Sequence, residues 1–461
     1  MSQSASAFQI APDAGASRHG KDTQGPNMDF LDYYDERAQS ADLRKMLETA
    51  NRLGREGFAA RAFVHDREAS FPTQNYVDLR EHGFLKLVVP KEFGGYGFSV
   101  GEYATVAAEI GKYCGATALT FNMHTSAMLW SNFMFDMPNL TEEERAAFRP
   151  LRERQFRRVV EEGAIYSQPI SEGGQNWTSK PIQTNCRKVD GGYVINGFKK
   201  FASLAGNCDY YCIVCTEHFE GVEPRHEDTL IFAVRKDAPG LKVVGEWDPI
   251  GMRGTVSRDL ILKDVHVTEE DLMMPRGVFS KTLPNWPHMM ALLSPTYMGV
   301  SQAAYDFTVA YLRGEGEGKG IDRRIYPTKR MAAGRMYQKL TEMRSLWHRA
   351  MMEARGFPSK AEVMRLYAAQ YAVMEGAQEM TALAIRTCGG QSMLKSLPLE
   401  RLYRDSRCGA LMLPYTSEIM EDYLSVLTVY DMDEIDKVGA DTESARTSLW
   451  RGAHGTLKAI R

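Results

Sequence analysis

The sequence predicts an α+β multidomain protein with an N-terminal helical domain, a middle antiparallel β-barrel or β-sandwich domain and a C-terminal four-helix bundle. Three observations support this prediction. Apolar residues recur three and four positions apart over residues 29–162. Short segments rich in β-branched and aromatic residues fill residues 163–275. Helical periodicity returns over residues 285–435, so residues 1–28 and 436–461 are left as predicted tails.

The N-terminal helices are predicted from three stretches. ADLRKMLETANRLGREGFAARAFVHDREA has apolar residues at helical spacing, and GEYATVAAEIGKYCGATALTFNMHTSAMLW indicates one or two buried helices. LTEEERAAFRPLRERQFRRVVEEG is amphipathic and opens with a Thr-Glu-Glu-Glu run that is typical of a helix start. These stretches account for most of the predicted N-terminal domain.

The middle domain is predicted from about seven strand-like segments separated by Gly, Pro, Asp and Asn. DYYCIVCTE, DTLIFAVRK and RDLILKDVHV are the clearest of them. Segments of this length and number favour a small antiparallel barrel or sandwich. The stretches beginning MMALLSPTYMG, TKRMAAGRMYQ and AEVMRLYAAQY are long enough to form the helices of a C-terminal bundle.

Composition argues against two classes of partner. The 461 residues include 56 Lys and Arg and 59 Asp and Glu, giving a net charge of -3, so no basic excess favours nucleic acid or an anionic membrane. No apolar run approaches the roughly 20 residues that span a bilayer, and no signal peptide is recognisable, so we expect a cytoplasmic protein. Its seven cysteines follow no framework spacing, and we predict neither a disulfide framework nor a metal site.

Four segments, in a fixed order over about residues 45–425, carry information beyond periodicity. They are VVPKEFGGYGFSVGEYATVAAEIGKY, then SQPISEGG with DGGYVINGFKKFASLAG, then DPIGMRGTVSRDLILKDVHV, and finally CGGQSMLKSLPLERLYRDSR with TSEIM. In order and spacing, this set resembles the acyl-CoA dehydrogenase family. The resemblance implies FAD held between the β domain and the helices, a CoA thioester as substrate and a homotetramer.

The resemblance also implies residues that contact the flavin ring. Ser167 matches a family Thr that bonds the ring, Phe201 matches an aromatic residue that stacks on it, and Ser203 matches a Thr near its N5 atom. Thr416 aligns with a family Thr beside the flavin. Taken without the resemblance, Phe201 is better explained as a strand core residue and the two serines as turn residues.

A second group of residues is implied for the rest of the cofactor. Arg313 lies near the position of a family Arg that pairs with the FAD pyrophosphate, and Arg323 and Arg324 are alternatives because the usual continuation of that motif is missing. Gly389 and Gly390 correspond to glycines that contact the FAD of a neighbouring subunit, although a Gly pair also ends helices without any ligand.

The sequence departs from the family on the substrate side. The family reaction removes a proton from the carbon next to the thioester, usually with a Glu, and Pro414 occupies that position here. Glu172, His288, Glu418 and His124 are the candidates for a catalytic residue, and each has an alternative structural explanation.

Gly173 and Tyr415, which flank these substrate-side positions, are predicted to contact the substrate. Three functions remain open. The first is an FAD-dependent dehydrogenase with a displaced base, which passes electrons to an electron-transfer flavoprotein. The second is a monooxygenase that receives reduced FMN or FAD from a flavin reductase and uses O₂; Ser167, Ser203 or His124 would then be the polar residue beside the flavin. The third is a non-catalytic flavin-binding protein. We predict the dehydrogenase as the first choice.

Overall fold

The computed structural model describes residues 40–173, 180–316, 320–412 and 416–430. Both predicted tails therefore lie outside the described residues. The described residues begin with a layer of helices, and these are α1 Ala41–Leu53, α2 Ala59–Glu68, α3 Thr73–Glu81, α4 Val100–Tyr113, α5 Gly115–Phe133 and α6 Glu142–Glu162. A π-helical segment, Gly54–Phe58, joins α1 to α2.

The helix starts follow from local capping chemistry. At α6, the Thr141 hydroxyl accepts the N–H of Glu144 at 3.1 Å, and the Glu144 carboxylate accepts the N–H of Thr141 at 2.7 Å. This reciprocal pair satisfies two N–H groups that the first helical turn leaves without partners. The long apolar stretch forms two helices, because Cys114 adopts an extended conformation between α4 and α5.

The middle domain is one seven-stranded sheet. Its strands are β1 Tyr166–Ser167, β2 Asn185–Val189, β3 Gly192–Ala202, β4 Tyr210–Glu217, β5 Thr229–Arg235, β6 Leu241–Val244 and β7 Arg258–Val267. They follow the order β1-β4-β2-β3-β7-β6, with β5 paired to β4. Four of the pairings are antiparallel, as predicted, but β1 and β2 both run parallel to β4.

The two parallel pairings have a simple geometric cause. β5 pairs with β4 along its whole length, so one edge of β4 is fully used. β1 pairs with the start of β4 at Tyr210 and Tyr211, and β2 pairs with its end at Thr216 and Glu217. The two short strands therefore lie end to end along the other edge. The loop between them leaves the sheet at Ser167, next to the functional site described below.

The C-terminal region is a bundle around one long central helix. Its helices are α7 Val278–Thr282, α8 Ser294–Arg313, α9 Pro327–Met352, α10 Lys360–Cys388, α11 Pro398–Gly409 and α12 Ser417–Val429. α10 packs against α8, α9, α11 and α12, while α8 also packs against α4 of the N-terminal layer. The predicted α+β architecture of helices, sheet and helical bundle is confirmed. Within the described residues, no helix is long and apolar enough to cross a membrane.

Candidate active site

A cavity of about 430 Å³ opens where the N-terminal helices, the sheet and the C-terminal bundle meet. Its size is in the range typical of small-molecule sites. Six stretches of chain line it: α5, the loop after β1, the end of β3, the segment between β6 and β7, the residues just before α8, and the end of α11 with the residues that follow it. The lining residues are Leu119, Asn122, Met123, Ser126, Trp130, Gln168, Ile170, Ser171, Gly173, Lys200, Phe201, Ser203, Trp247, Pro249, Gly251, Met252, Thr255, Ser257, Met289, Leu292, Leu293, Cys408, Leu411 and Met412.

The α5 wall presents a row of side chains at helical spacing. Asn122, Ser126 and Trp130 are four residues apart, so they lie on the same face of the helix. The Asn122 Oδ1 atom accepts the hydroxyl of Tyr103 at 2.9 Å and that of Ser126 at 3.4 Å. This wall is therefore mainly apolar, with one hydrogen-bonded polar pair formed by Asn122 and Ser126.

The opposite wall is built at the end of β3 and carries a chain of hydroxyl groups. The Ser203 and Ser257 hydroxyl oxygens are 2.8 Å apart, and those of Ser257 and Thr255 are also 2.8 Å apart. The Ser167 hydroxyl donates to the backbone carbonyl of Ser203 at 2.5 Å. Phe201, which is 53% exposed, lies beside Trp247 with ring centroids 5.3 Å apart. Ser203 and Phe201 thus lie on the cavity wall, and Ser167 supports Ser203 from behind.

Contacts with the N-terminal helices and with the C-terminal bundle hold the segment 245–257 in place. The buried carboxylate of Asp405 on α11 accepts the N–H of Met252 at 2.6 Å. The Arg253 guanidinium donates to the carbonyl of Asp66 on α2 at 2.7 Å, and Arg404 on α11 pairs with the Asp66 carboxylate at 2.6 Å. One residue within the segment, Val256, has φ +46, a left-handed conformation that is rare for a β-branched residue. The surroundings therefore hold this stretch in a strained conformation at the cavity.

Glu172, a predicted catalytic candidate, is occupied by other contacts. Its carboxylate lies 2.8 Å from the Lys199 ammonium and accepts the N–H groups of Gln183 at 2.6 Å and Thr184 at 2.7 Å. Burial opposes the ionised form, but Lys199 and the N–H donors outweigh it and lower the pKa of Glu172. The neighbouring Gly173 lines the cavity, whereas Glu172 does not. The structure therefore gives Glu172 the surroundings of a structural ion pair.

The other three candidates also lie off the cavity lining. His124 bonds the carbonyl of Leu85 at 2.8 Å through Nε2, and its Nδ1 accepts the N–H of Tyr166 at 3.2 Å. His288 is fully buried beside the lining, and neither of its ring nitrogens has a hydrogen-bond partner among the described residues. Burial lowers the pKa of each histidine to about 4. Glu418 is exposed in the first turn of α12.

The residues predicted for the remainder of the cofactor lie away from this cavity. Arg313 ends α8 and lies 3.9 Å from the Glu315 carboxylate. Gly389 follows α10 with φ +85, and both it and Gly390 have open space where a side chain would be. Thr416, which was predicted to lie beside the flavin, is not among the lining residues and caps α12 by accepting the N–H of Ile419 at 3.4 Å.

Pro414 and Tyr415 lie outside the described residues. The predicted roles of all the placed residues stay predictions: Gly173, Phe201 and Ser203 share the cavity wall, while Arg313, Gly389 and Gly390 are not among its lining residues.

One segment of the lining, and Asn122 on α5, were not predicted from the sequence. Gly251, Met252, Thr255 and Ser257 belong to DPIGMRGTVSR, a segment that carried the resemblance but to which no site residue was assigned. The place of this segment in the ordered set of four could have indicated that its residues belong to the site. Asn122 gave a weaker signal, since it is a polar residue with low helix propensity on a buried helix.

The chemistry of the wall fits a flavin. A flavin requires apolar contact on its faces and hydrogen-bonding groups at its edge. Phe201 and Trp247 supply exposed aromatic surface, and Ser203 and Ser257 supply hydroxyls. Gln168 Nε2 is a buried donor without a hydrogen-bond partner among the described residues, on a residue of the same wall. Buried donors without partners are uncommon in protein interiors, so the Gln168 Nε2 donor is a group that a bound ligand could use.

Comparison with known proteins agrees with this architecture. Three family models match in chain order: the acyl-CoA dehydrogenase N-terminal domain over residues 40–135, the middle domain over 170–265 and the C-terminal domain over 288–423. Together they cover well over half of the chain. The chain belongs to the acyl-CoA dehydrogenase family.

Its relatives carry out more than one reaction. The chain is 28% identical to the putative acyl-CoA dehydrogenase YdbM of Bacillus subtilis over 385 residues, covering 80% of this chain and 93% of the relative. It is 26% identical to L-evernosamine nitrososynthase of a Micromonospora species over 423 residues, covering 85% of this chain and 93% of the relative. The crystal structure of FMN-bound TdsC from Paenibacillus superposes with a TM-score of 0.72 at 18% identity, covering 84% of this chain and 97% of that one. TdsC is described as a dibenzothiophene monooxygenase. At 18% identity, this likeness shows the fold alone.

Proposed function

We propose that the chain is a flavin-dependent oxidoreductase that uses reduced flavin and O₂ to oxygenate a small molecule. This proposal reverses the order of the first two functions predicted from sequence. The family and its flavin chemistry are common to both functions, and the composition of the cavity wall favours the second.

The absence of a base from the described lining supports this choice. Oxidation of a thioester requires a group that removes a proton from carbon, ordinarily a carboxylate. Among the described residues that line the cavity there is no Asp, Glu or His. Two stretches that adjoin lining residues in the sequence, 174–179 and 413–415, lie outside the described residues, and their sequences GQNWTS and LPY contain none either. Oxygenation by reduced flavin requires no such base, and it is compatible with this wall.

The residues have separable roles in the proposed reaction. Phe201 and Trp247 would pack against the flavin ring, and the hydroxyls of Ser203 and Ser257 would bond its edge. When bound, a reduced flavin supplies the electrons that activate O₂. The apolar side chains of the α5 wall, including Leu119 and Met123, keep water from the reacting centre. The hydroxyl chain from Ser203 to Thr255 is positioned to donate hydrogen bonds to oxygen.

The cofactor is proposed to be FMN or FAD delivered in the reduced form by a flavin reductase, and the homotetramer implied by the family is proposed here as well. Light scattering of the purified protein tests the tetramer.

The main experiment mixes the protein with reduced FMN or reduced FAD and follows O₂ consumption and the flavin absorbance by stopped flow. We expect the protein to bind reduced flavin and to alter the rate at which O₂ reoxidises it. The opposite outcome is anaerobic bleaching of protein-bound FAD by an acyl-CoA. That result would contradict the proposal and favour the dehydrogenase.

One observation favours the dehydrogenase as a second candidate, namely the 28% identity to a putative acyl-CoA dehydrogenase. Pro414→Glu places a carboxylate at the usual position of the family base. If the chain still binds CoA thioesters, this variant gains acyl-CoA oxidation, and Pro414→Gln serves as the matched control. A protein that binds flavin but shows neither activity would match the non-catalytic alternative.

A further inference from the structure

We infer that the substrate is an uncharged, mainly apolar molecule with one hydrogen-bonding group, which is recognised by Asn122 and Ser126 on α5. The inference rests on the proposed function, because it assigns the flavin to the β3 wall and leaves the α5 wall for the substrate. The chemistry of the α5 wall then determines which molecules can bind.

Charge is the first restriction. Lys200 is the one charged side chain among the described residues of the lining, and its ammonium lies 3.5 Å from the Asp259 carboxylate. Its side chain is 43% exposed, so it is solvated at the mouth rather than inside. An ammonium or carboxylate on the substrate would enter an apolar cavity without a counter-charge, and burying an unpaired charge is strongly unfavourable.

Hydrogen bonding is the second restriction. Asn122 is 2% exposed, and its Oδ1 atom is already bonded to the Tyr103 and Ser126 hydroxyls. Its Nδ2 group has no partner among the described residues, so the amide is held in place with its donor end available. Such a donor on a mainly apolar wall favours a ligand that offers one hydrogen-bond acceptor. A hydroxyl, a carbonyl or a neutral amine on the substrate would pair with it.

Tyr103 is a positioning residue in this arrangement. It is fully buried on α4, and its hydroxyl fixes the Asn122 amide from behind without lining the cavity. Loss of this hydroxyl leaves Asn122 Oδ1 with only the longer bond from Ser126, which weakens the orientation of the amide and reduces recognition of the hydrogen-bonding group but leaves the apolar contacts intact.

The test measures binding without turnover, so it does not depend on the oxygenation reaction. Toluene, benzyl alcohol, benzylammonium and benzoate share one ring and differ in the group they present. Ligand-observed NMR at pH 7 gives a Kd for each, with and without bound flavin. We expect benzyl alcohol to bind at least about 10-fold more tightly than either ion. If benzylammonium or benzoate binds as tightly as the alcohol, the inference is wrong, whatever the outcome of the O₂ experiment.

Substitutions test which side chains recognise the hydrogen-bonding group of the ligand. Ser126→Ala and Asn122→Leu should lower the preference for benzyl alcohol over toluene by about 3- to 10-fold, the loss expected for one neutral hydrogen bond. Tyr103→Phe should lower it in the same direction, with toluene binding unchanged. The control is Ser131→Ala on the same helix, whose hydroxyl bonds the carbonyl of Ala127 at 3.3 Å and does not line the cavity.

Thermal melts identify any variant that fails to fold, and Ser126→Ala and Tyr103→Phe each remove a single oxygen atom, so at least one informative variant should remain. An unchanged alcohol-to-toluene ratio in the folded variants, or an equal change in Ser131→Ala, would overturn the assignment to Asn122 and Ser126.

Discussion

Lys199→Met should lower the free energy of unfolding. The variant should therefore unfold at a lower urea concentration than the unsubstituted protein. The Lys199 side chain is fully buried and that of Glu172 is 8% exposed, and their charged atoms are 2.8 Å apart. The same ammonium also lies 3.3 Å from the carbonyl of Ile170, which lines the cavity. Lys199→Met therefore leaves the Glu172 carboxylate buried with its N–H donors but without its counter-ion.

The magnitude follows from that burial. Removing one partner of a buried ion pair costs about 3–5 kcal/mol, because the remaining charge stays out of water. We expect the lower end, about 3 kcal/mol, since the Glu172 carboxylate keeps two backbone donors. Glu172→Gln removes the other charge and leaves Lys199 buried. Burial already holds the pKa of Lys199 below its usual value, so this side chain can lose its proton and limit the cost.

The measurement is a double-mutant cycle of urea unfolding at pH 7 with Lys199→Met, Glu172→Gln and the combined variant. The combined variant should lose less free energy of unfolding than the sum of the single variants. The matched control is the Lys188–Glu269 pair, which has the same chemistry at 3.0 Å but whose side chains are 61% and 62% exposed. Glu269→Gln is expected to leave stability within error. Strict additivity at the buried pair would refute the reasoning.

Three further predictions follow from the site and its surroundings. Ser203→Ala should weaken flavin binding by about 3- to 10-fold and shift the flavin spectrum, and an unchanged titration would remove Ser203 from the site. Gly251→Ala should cost about 1–3 kcal/mol, because the added carbon would lie 2.4 Å from the carbonyl oxygen of Arg404. Gly334→Ala, with open space on α9, should instead stabilise by about 0.5–1 kcal/mol, and both are read from urea melts. Stability should fall as pH is lowered from 6.5 toward 4, since burial lowers the pKa of His288 to about 4 and the unfolded chain takes up the proton first. His288→Phe should reduce that dependence and leave the part contributed by His124, whose pKa burial also lowers to about 4, whereas His266→Gln on the exposed face of β7 should not reduce it.

The sequence predicts those features that depend on neighbouring residues. The start of α6 is an example, because the Thr141 and Glu144 contacts that form it are three residues apart. The order of helices, sheet and bundle is likewise carried by periodicity within each stretch. The parallel strands are different, since they depend on which edge of β4 remains free after β5 has paired.

The site is predictable where an ordered motif carries it and not where distant contacts decide. Phe201 and Ser203 follow from KKFASLAG and lie on the cavity wall. Nothing close to Glu172 in the sequence SEGG indicates an ion pair, yet its counter-ion, Lys199, is 27 residues away on β3. Asn122 is only weakly marked in the sequence, and its orientation becomes clear when the Tyr103 hydroxyl is placed behind it. Periodicity within one helix contains no such information.

The contacts at Asp66 set the point during synthesis at which this wall of the cavity can form. Asp66 lies on α2, Arg253 beside the sheet and Arg404 on α11, so three distant parts of the chain meet at one residue. During synthesis, Arg404 leaves the ribosome long after the sheet is complete, and until then Met252 lacks the Asp405 carboxylate as well. The wall around Met252 is therefore completed only after α11 has been made. A chain that ends before α11 would lack these contacts, so we expect it to hold a flavin at this wall less tightly than the longer chain.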